Sequence, residues 1–160
     1  MKREELTQRI YKNRALCTAL RLVDAVSVIL CATLLLTVLV SDFIDSDYYS
    51  IVATALTLGV PFVFVSLLRR ILSFPRPFEI YDFGIDIKHK GGSFPSRHAY
   101  SAFAIGTYLS FVNMTLGVTV LLLGVVISAV RVLLGLHFVR DVFAGGAIGI
   151  TGALIGAFVF

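Results

Sequence analysis

The sequence predicts an all-α protein, a polytopic membrane bundle of about five transmembrane helices. Hydrophobic residues make up 58% of the 160 residues and charged residues only 15%, whereas a soluble domain carries about 25% charged residues. Apolar runs long enough to cross a bilayer also recur along the chain. This composition excludes a soluble enzyme, a disordered chain and a nucleic-acid-binding module. The net charge of +4 is therefore not attributed to a nucleic-acid partner.

The predicted spans follow from apolar runs that approach the roughly 20 residues needed to cross a bilayer. They cover residues 22–41, 50–68, 98–113, 116–135 and 139–159. Residues 3–16 could form an interfacial helix ahead of the first span. A signal peptide is disfavoured because the first apolar run is too long and no small-residue cleavage site follows it. We expect a single membrane domain over residues 1–160, with its motifs in residues 50–160.

The longest segment between spans, residues 69–97, holds three of the four prolines and a Gly-Gly pair, which is typical of a loop. Counting crossings puts this loop, the N-terminus and the 134–140 turn on one face of the membrane. All fourteen Lys and Arg lie on or near that face, so the positive-inside rule predicts that it is cytoplasmic. The expected location is a bacterial cell membrane.

The two cysteines carry little information about function. Cys17 and Cys31 are fourteen residues apart in one predicted helix, a separation of roughly 21 Å. A disulfide needs about 6 Å between α-carbons. We therefore expect both to be small packing or lipid-facing residues.

The first polar cluster follows the second span. Arg69 and Arg70 end that span, and Arg76 stands between two prolines. The arginine pair could simply anchor the helix in the headgroup region. Arg76 is less easily explained that way, because the prolines restrict its backbone and a fixed guanidinium suits a phosphate.

The second polar cluster begins the third span. Ser96 is placed as an N-cap, and His98 falls in the first turn of the helix. Free backbone N–H groups and the helix dipole there favour an anion. An ordinary cap with an interfacial histidine explains this cluster equally well.

The third polar cluster joins the last two spans. Arg131 lies near the end of one span, and His137 and Asp141 lie four residues apart at the start of the next, on one helical face. Asp141 can accept a hydrogen bond from one imidazole nitrogen and leave the other as a nucleophile or base. An Asp–Arg pair at a helix end is the structural alternative, but it does not account for the histidine.

Taken together, these motifs resemble the type 2 phosphatidic acid phosphatase superfamily. That family has Lys, six residues, Arg-Pro; then Pro-Ser-Gly-His; then Ser-Arg, five residues, His, three residues, Asp. The corresponding positions here are Arg69, Arg76-Pro77, Pro95-Ser96-Arg97-His98, Arg131, His137 and Asp141. The resemblance covers residues 50–160, and order, spacing and placement at span ends all match.

Three positions depart from the family pattern. Arg69 replaces the Lys, which keeps the charge but changes the geometry. Val130 replaces the Ser before Arg131, a change expected to be minor. Arg97 replaces the Gly of the second motif; its backbone N–H can still bind phosphate unless that position needs a conformation open only to glycine.

The resemblance implies a two-step, metal-independent phosphoryl transfer through a phosphohistidine. His137 would be the nucleophile, Asp141 would orient it, and His98 would donate a proton to the leaving oxygen. The substrate phosphate would be held by Arg69, Arg76, Ser96, Arg97 and Arg131. No cofactor and no metal are implied. The competing hypothesis is a non-catalytic lipid-phosphate-binding or transport-associated protein on the same scaffold.

The substrate class implied is a lipid phosphate whose tail stays in the bilayer: phosphatidic acid, phosphatidylglycerophosphate or a polyprenyl diphosphate. Residues 78–94 are expected to form the headgroup pocket, which Phe78, Tyr81 and Phe83 could line. The basic segment Lys88, His89 and Lys90 is expected to attract anionic headgroups.

One helical face of the last span consists of four glycines: Gly145, Gly149, Gly152 and Gly156. That face is expected to pack within the chain, with a homodimer interface as the alternative.

Overall fold

The computed structural model describes residues 3–81, 83 and 92–160, and over these residues the chain is helical without strands. This confirms the predicted fold class. The helices, in chain order, are α1 (Arg3–Lys12), α2 (Arg14–Ile44), α3 (Tyr48–Leu72), α4 (Pro77–Ile80), α5 (Arg97–Val112), α6 (Met114–Leu133) and α7 (Val139–Val159).

Side-chain caps mark where the long helices begin. Asn13 and Asp47 each accept a hydrogen bond at 3.1 Å from the backbone N–H three residues on, at the starts of α2 and α3. Asn113 ends α5 and also caps α6, accepting from the N–H of Leu116 at 3.1 Å. Such caps satisfy backbone donors that have no partner within the helix. One residue therefore connects α5 to α6.

The centre of the bundle is α5, which lies between α6 and α7 and also contacts α2 and α3. Glycines on α7 permit a close approach to α5. A Cβ atom at Gly145 would lie 2.3 Å from the carbonyl oxygen of Ser96, and one at Gly149 would lie 2.5 Å from that of Tyr100. The backbones of α5 and α7 are thus nearly in contact at the end of the bundle where α5 begins.

The remaining glycines of the predicted face on α7 pack against α3. A Cβ atom at Gly152 would lie 3.0 Å from the Pro61 ring, and one at Gly156 would lie 2.3 Å from the Thr57 side chain. The predicted packing of the glycine face within the chain is therefore observed. The alternative, a homodimer through this face, is not supported, because α5 and α3 already occupy it.

The N-terminal helix α1 packs on the end of α6. Ile10 is 3% exposed and contacts the apolar side chains there. The hydroxyl of Thr7 donates to the carbonyl of Leu133 at 3.1 Å, and that of Tyr11 donates to the carbonyl of Leu134 at 3.0 Å. These bonds satisfy carbonyls that a helix end leaves without partners. A helix is thus present over Arg3–Lys12, within the segment 3–16 that was predicted to be interfacial, and it braces the turn that follows α6.

Four helical segments of the described chain are long and apolar enough to cross a membrane: α2, α3 with the short α4, α6 and α7. The remaining predicted span corresponds to α5, whose 16 residues extend about 24 Å, less than the ~30 Å hydrocarbon core. Its neighbours surround it. Large apolar side chains such as Ile29, Leu122 and Phe143 are exposed on the outer surface, as expected of a lipid-facing bundle. Cys17 and Cys31 are both free thiols with buried side chains, which agrees with their predicted role as packing residues.

Candidate active site

The turn between α6 and α7 holds His137, which is 1% exposed. Gly135 in this turn has a φ of +66°, a left-handed conformation that favours glycine, and a Cβ atom there would lie 2.7 Å from the Phe83 ring. The N–H groups of Leu136 and His137 both donate to the carbonyl of Arg131, at 3.0 and 3.3 Å. Hydrogen bonds close this turn, and the Phe83 ring covers it. The backbone of His137 is therefore fixed.

Asp141, in the first turn of α7, is fully buried beside this histidine. Its Oδ2 accepts from the backbone N–H of Phe138 at 2.9 Å and lies 3.6 Å from Nδ1 of His137. That distance is long for a hydrogen bond but within ion-pair range. The carboxylate therefore faces Nδ1, and Nε2 lies on the side of the imidazole ring away from Asp141. The predicted proximity of the two side chains is observed, while their catalytic roles remain predictions.

Ser93 is a third member of this group, and sequence analysis missed it. Its side chain is fully buried, and its hydroxyl donates to Oδ2 of Asp141 at 2.5 Å and lies 3.4 Å from Nδ1 of His137. Its backbone N–H donates to the carbonyl of Phe74 at 2.7 Å. The signal in the sequence was a small polar residue just before the second motif, but nothing local shows where its hydroxyl points.

Burial and the nearby arginines favour the neutral form of His137. Burial is the main cause that lowers the pKa of the imidazole below its ordinary value, and the positive charges of Arg76 and Arg69 lower it further. The hydrogen-bonding interaction with Asp141 acts in the opposite direction. A neutral imidazole has the lone pair that a nucleophile needs.

Arg69, near the end of α3, is 8% exposed. Its Nη1 donates to the carbonyls of Ser93 and Pro95, at 3.3 and 3.1 Å. One nitrogen of the guanidinium thus holds the loop that carries the second motif. The predicted phosphate-binding role of Arg69 therefore depends on its remaining N–H groups.

Arg76 is the residue immediately before α4 and is 7% exposed. Its backbone N–H donates to Glu79 at 2.9 Å, and its guanidinium lies 5.8 Å from the centre of the Phe78 ring. The Nε atom is buried and has no hydrogen-bond partner among the described residues. A buried, unpartnered donor is costly, so this atom is suited to receive an oxygen from a bound anion.

The second motif begins α5. Ser96 is fully buried and its Oγ accepts from the N–H of Ala99 at 3.4 Å, as predicted for an N-cap. Its own N–H donates to the carbonyl of Asp141 at 2.9 Å, which ties the second motif to the third. Arg97 is exposed and helical. Among the described non-glycine residues, only Ser46 and Ser73 have positive φ, so the position of Arg97 does not require glycine.

His98 follows in the first turn of α5 and is partly exposed. It lies within electrostatic range of Arg131, His137, Arg97 and Arg69. The three polar clusters identified in the sequence therefore come together at one end of the bundle. Across the part of the chain that the structure describes, no group of three or more His, Cys, Asp or Glu side chains could hold a metal ion.

Arg131 has a partner that sequence analysis did not identify. Its Nε and Nη2 donate to the two carboxylate oxygens of Asp24, at 3.1 and 2.7 Å. Asp24 lies ten residues into α2. An acid within an otherwise apolar run was the available signal, because a charge in such a place usually has a partner or a function.

An apolar groove leads from the site toward the opposite end of the bundle. Its first part, about 390 Å³, is bounded by Arg97 and His98 at one end and by Val28 and Ile105 further along. Its second part, about 370 Å³, shares Phe62, Ser101 and Ile105 with the first and continues to Leu39 and Ile51. We call the two parts together the α2–α3–α5 groove. Between Val28 and Leu39 it extends about 16 Å along α2.

The predicted headgroup segment is described only in part. Phe78 lies against Arg76, and Phe83 is 8% exposed against Gly135. Tyr81 and Phe83, with Glu4 and Phe138, line a separate cavity of about 210 Å³. Lys88, His89 and Lys90 lie outside the described residues.

Arg140 is a further basic side chain at the site that the motifs do not include. Its Nε lies 3.6 Å from Oδ1 of Asp141. The guanidinium lies 5.4 Å from the centre of the Phe74 ring and 5.2 Å from that of Phe138. It therefore covers the outer side of the Asp141 carboxylate.

The solved structures that are similar to this chain include the following two. One is LpxE from Aquifex aeolicus, with a TM-score of 0.72 and 25% identity, covering 96% of this chain and 93% of LpxE. The other is a transmembrane PAP2-type phosphatidylglycerolphosphate phosphatase from Bacillus subtilis, with a TM-score of 0.60 and 19% identity, covering 96% and 90% of the two chains. The second likeness concerns the fold alone. A comparison with curated proteins gave no match.

The match to a protein family falls on the segment that carries all three motifs. The family model of the PAP2 superfamily covers residues 48–159, which is more than half of the chain and runs from the start of α3 to the end of α7. Together with the apolar helices, this match confirms the resemblance and an integral membrane protein: the chain belongs to the PAP2 superfamily.

Proposed function

We propose that this protein is a metal-independent phosphatase that hydrolyses a membrane-lipid phosphate monoester or diphosphate through a phosphohistidine intermediate. The observation that carries the proposal is the buried His137–Asp141 pair, with its ring nitrogen Nδ1 facing the carboxylate at 3.6 Å, in a site bordered by arginines and open to an apolar groove. The match to the PAP2 superfamily over residues 48–159 also supports the proposal.

In the first step, the lone pair on Nε2 of His137 attacks phosphorus and the ester P–O bond breaks. Protonated His98 gives its proton to the leaving oxygen, so the lipid departs as an alcohol, or as a monophosphate if the substrate was a diphosphate. Asp141 stabilises the imidazole through Nδ1. Arg69, Arg76, Ser96, Arg97 and Arg131 hold the phosphate oxygens and offset their negative charge.

In the second step, water attacks the phosphohistidine. His98, now neutral, accepts a proton from the water as the P–N bond breaks and inorganic phosphate forms. His137 and protonated His98 are thereby regenerated. Because phosphoryl transfer depends mainly on positioning and charge, arginines can provide the charge stabilisation that Mg²⁺ supplies elsewhere.

The groove supports a lipid substrate. It starts at Arg97 and His98 and is lined by apolar side chains of α2, α3 and α5. A lipid tail that lies there would place its phosphate beside Arg97 and His98. Phosphatidic acid, phosphatidylglycerophosphate and polyprenyl diphosphates are the proposed substrates.

The first experiment measures phosphate release from a panel of these lipids in detergent. We expect release that survives EDTA, decreases with vanadate and disappears in His137→Ala. Asp42→Asn is the control, because it changes a polar residue near the end of α2, outside the motifs and the headgroup segment. Rapid quenching with ³²P-labelled substrate should leave an acid-labile label on the wild type and none on His137→Ala.

Absence of release from every lipid by folded protein would overturn the proposal and favour the non-catalytic lipid-phosphate binder. Release that EDTA abolishes would overturn metal independence. Phosphate release that leaves no label on histidine and is undiminished in His137→Ala would overturn the phosphohistidine intermediate.

The bacterial membrane location and the side that the site faces remain predictions. Asp47→Cys and Lys90→Cys, treated with a membrane-impermeant maleimide on intact cells, test the side. The native Cys17 and Cys31 are buried, so they give a low background. We expect labelling at residue 47 only; labelling at residue 90 from outside would contradict a cytoplasmic site.

A further inference from the structure

We propose that Asp24 of α2 is a positioning residue, which holds the guanidinium of Arg131 in the orientation required to bind the substrate phosphate. This inference rests on the proposed phosphatase function. It extends the functional site to α2, a helix that lies outside the matched residues 48–159.

The contact is bidentate. Nε of Arg131 donates to Oδ1 of Asp24 at 3.1 Å, and Nη2 donates to Oδ2 at 2.7 Å. Two parallel bonds to one carboxylate fix both the direction and the plane of a guanidinium. The two side chains are only 12% and 14% exposed, so water competes little for these bonds.

The pair leaves one nitrogen of Arg131 for another ligand. Nη1 has no hydrogen-bond partner among the residues that the structure describes. The positive charge of Arg131 also acts on His98, the proposed proton donor. With Nε and Nη2 held by Asp24, Nη1 is the group that can bind a phosphate oxygen.

A purely structural pair between α2 and α6 is the alternative. However, these helices already pack through a buried apolar cluster that includes Cys31, Val38, Val120 and Ile127. That cluster can hold the helices together without an ion pair, and a buried ion pair adds little stability relative to apolar packing. A carboxylate at this place is better explained by the arginine that it orients.

The test begins with Asp24→Asn, which keeps the shape of the side chain and removes its charge. We expect kcat and kcat/KM to decrease together by about tenfold. This loss is smaller than the ~100-fold loss that a 1 Å misplacement of a catalytic group can cause. Inhibition by vanadate should weaken by a similar factor, because a lost transition-state contact affects a transition-state mimic. Asp24→Glu keeps the charge and should retain more activity than Asp24→Asn.

Asp42→Asn is the matched control, because Asp42 lies on the same helix near its other end. We expect wild-type kcat and wild-type vanadate inhibition from it. Thermal unfolding of all variants in detergent separates a folding defect from a positioning defect. If Asp24→Asn does not fold, Asp24→Glu serves instead, and we expect a lower kcat from it.

A double mutant decides whether Asp24 acts through Arg131. In an Arg131→Gln background, Asp24→Asn should cause no further loss of kcat. An equal loss of kcat in both backgrounds would overturn the inference. Full activity of folded Asp24→Asn would also overturn it. If Asp24→Asn does not fold, full activity of Asp24→Glu would have the same meaning. Wild-type protein without phosphatase activity would overturn the proposed function itself, and active wild type with an unaffected Asp24 variant would overturn this inference alone.

Discussion

The hydroxyl of Ser93 donates a hydrogen bond to the Asp141 carboxylate oxygen that also faces Nδ1 of His137. A loop residue outside the family motifs thus helps to orient the carboxylate of the proposed catalytic pair. A hydrogen bond to a charged, buried group contributes about 1.5–3 kcal/mol.

We therefore expect Ser93→Ala to lower kcat about tenfold, because the carboxylate loses one of the bonds that orient it. Phosphate release from the preferred lipid measures this. Ser66→Ala is the matched control, since the Ser66 hydroxyl is also buried but has no hydrogen-bond partner within the described chain. Equal activity of the two variants would show that Ser93 does not orient Asp141.

The acidic limb of the pH profile should lie below the ordinary histidine pKa of about 6.5. Burial and the nearby arginines lower the pKa of His137, so its neutral, nucleophilic form persists as the pH falls. Protonation then abolishes activity only at a more acidic pH. The measurement is kcat/KM against pH.

Arg76→Gln supplies the comparison for this profile. Removal of a positive charge near His137 should raise its pKa and move the acidic limb to higher pH. The same substrate is used for both proteins, so titration of its phosphate cancels. A limb that does not move, or moves to lower pH, would contradict the electrostatic account.

Gly145→Ala should destabilise the protein by about 1–3 kcal/mol, as overpacking does. Its Cβ would lie 2.3 Å from the carbonyl oxygen of Ser96, so α7 and the phosphate-binding end of α5 must separate, and activity should also decrease. Thermal unfolding in detergent measures the first effect. Gly59→Ala is the control: nothing lies within 4 Å of its Cβ, and a helical Gly→Ala change stabilises by up to about 1 kcal/mol.

Filling the α2–α3–α5 groove should affect long-chain substrates selectively. Ala32 lines the groove, and we expect Ala32→Trp to raise KM for a long-chain lipid phosphate about tenfold, equivalent to 1.4 kcal/mol. A short-chain, water-soluble analogue should be unaffected. Leu36→Trp, at a lipid-facing position of the same helix that is 58% exposed, is the control. Equal effects on both substrates would argue against a tail in the groove.

Much of the fold was predictable because the bilayer requires long apolar runs. The span predicted at 139–159 coincides with α7, and the others differ from the observed helices mainly at their ends. The 134–140 turn and the cap at Ser96 depend on local sequence, so their positions could be predicted as well. The motif spacing placed His137 and Asp141 together for the same reason, since four helical residues bring side chains to one face.

The long-range contacts of the site were not predictable from the sequence. Asp24 meets Arg131 across 107 positions of chain, and the direction of the Ser93 hydroxyl depends on how the loop packs against α3 and α7. Neither of these two contacts leaves a periodic or local pattern in the sequence. The third predicted span, 98–113, has the same length as α5, but its sequence did not reveal that α5 is enclosed by its neighbours.

The connection of α5 to α6 through Asn113 alone has a consequence for how the protein is made. Two helices joined by one residue cannot insert into the bilayer far apart in time or space, and α5 brings Arg97 and His98 with it at its start. Insertion of α5 with α6 as one helical hairpin lets the backbone groups and small residues of the pair meet before either faces lipid alone. Biogenesis of the phosphate-binding end is thereby coupled to the synthesis of α6, the helix that also carries Arg131.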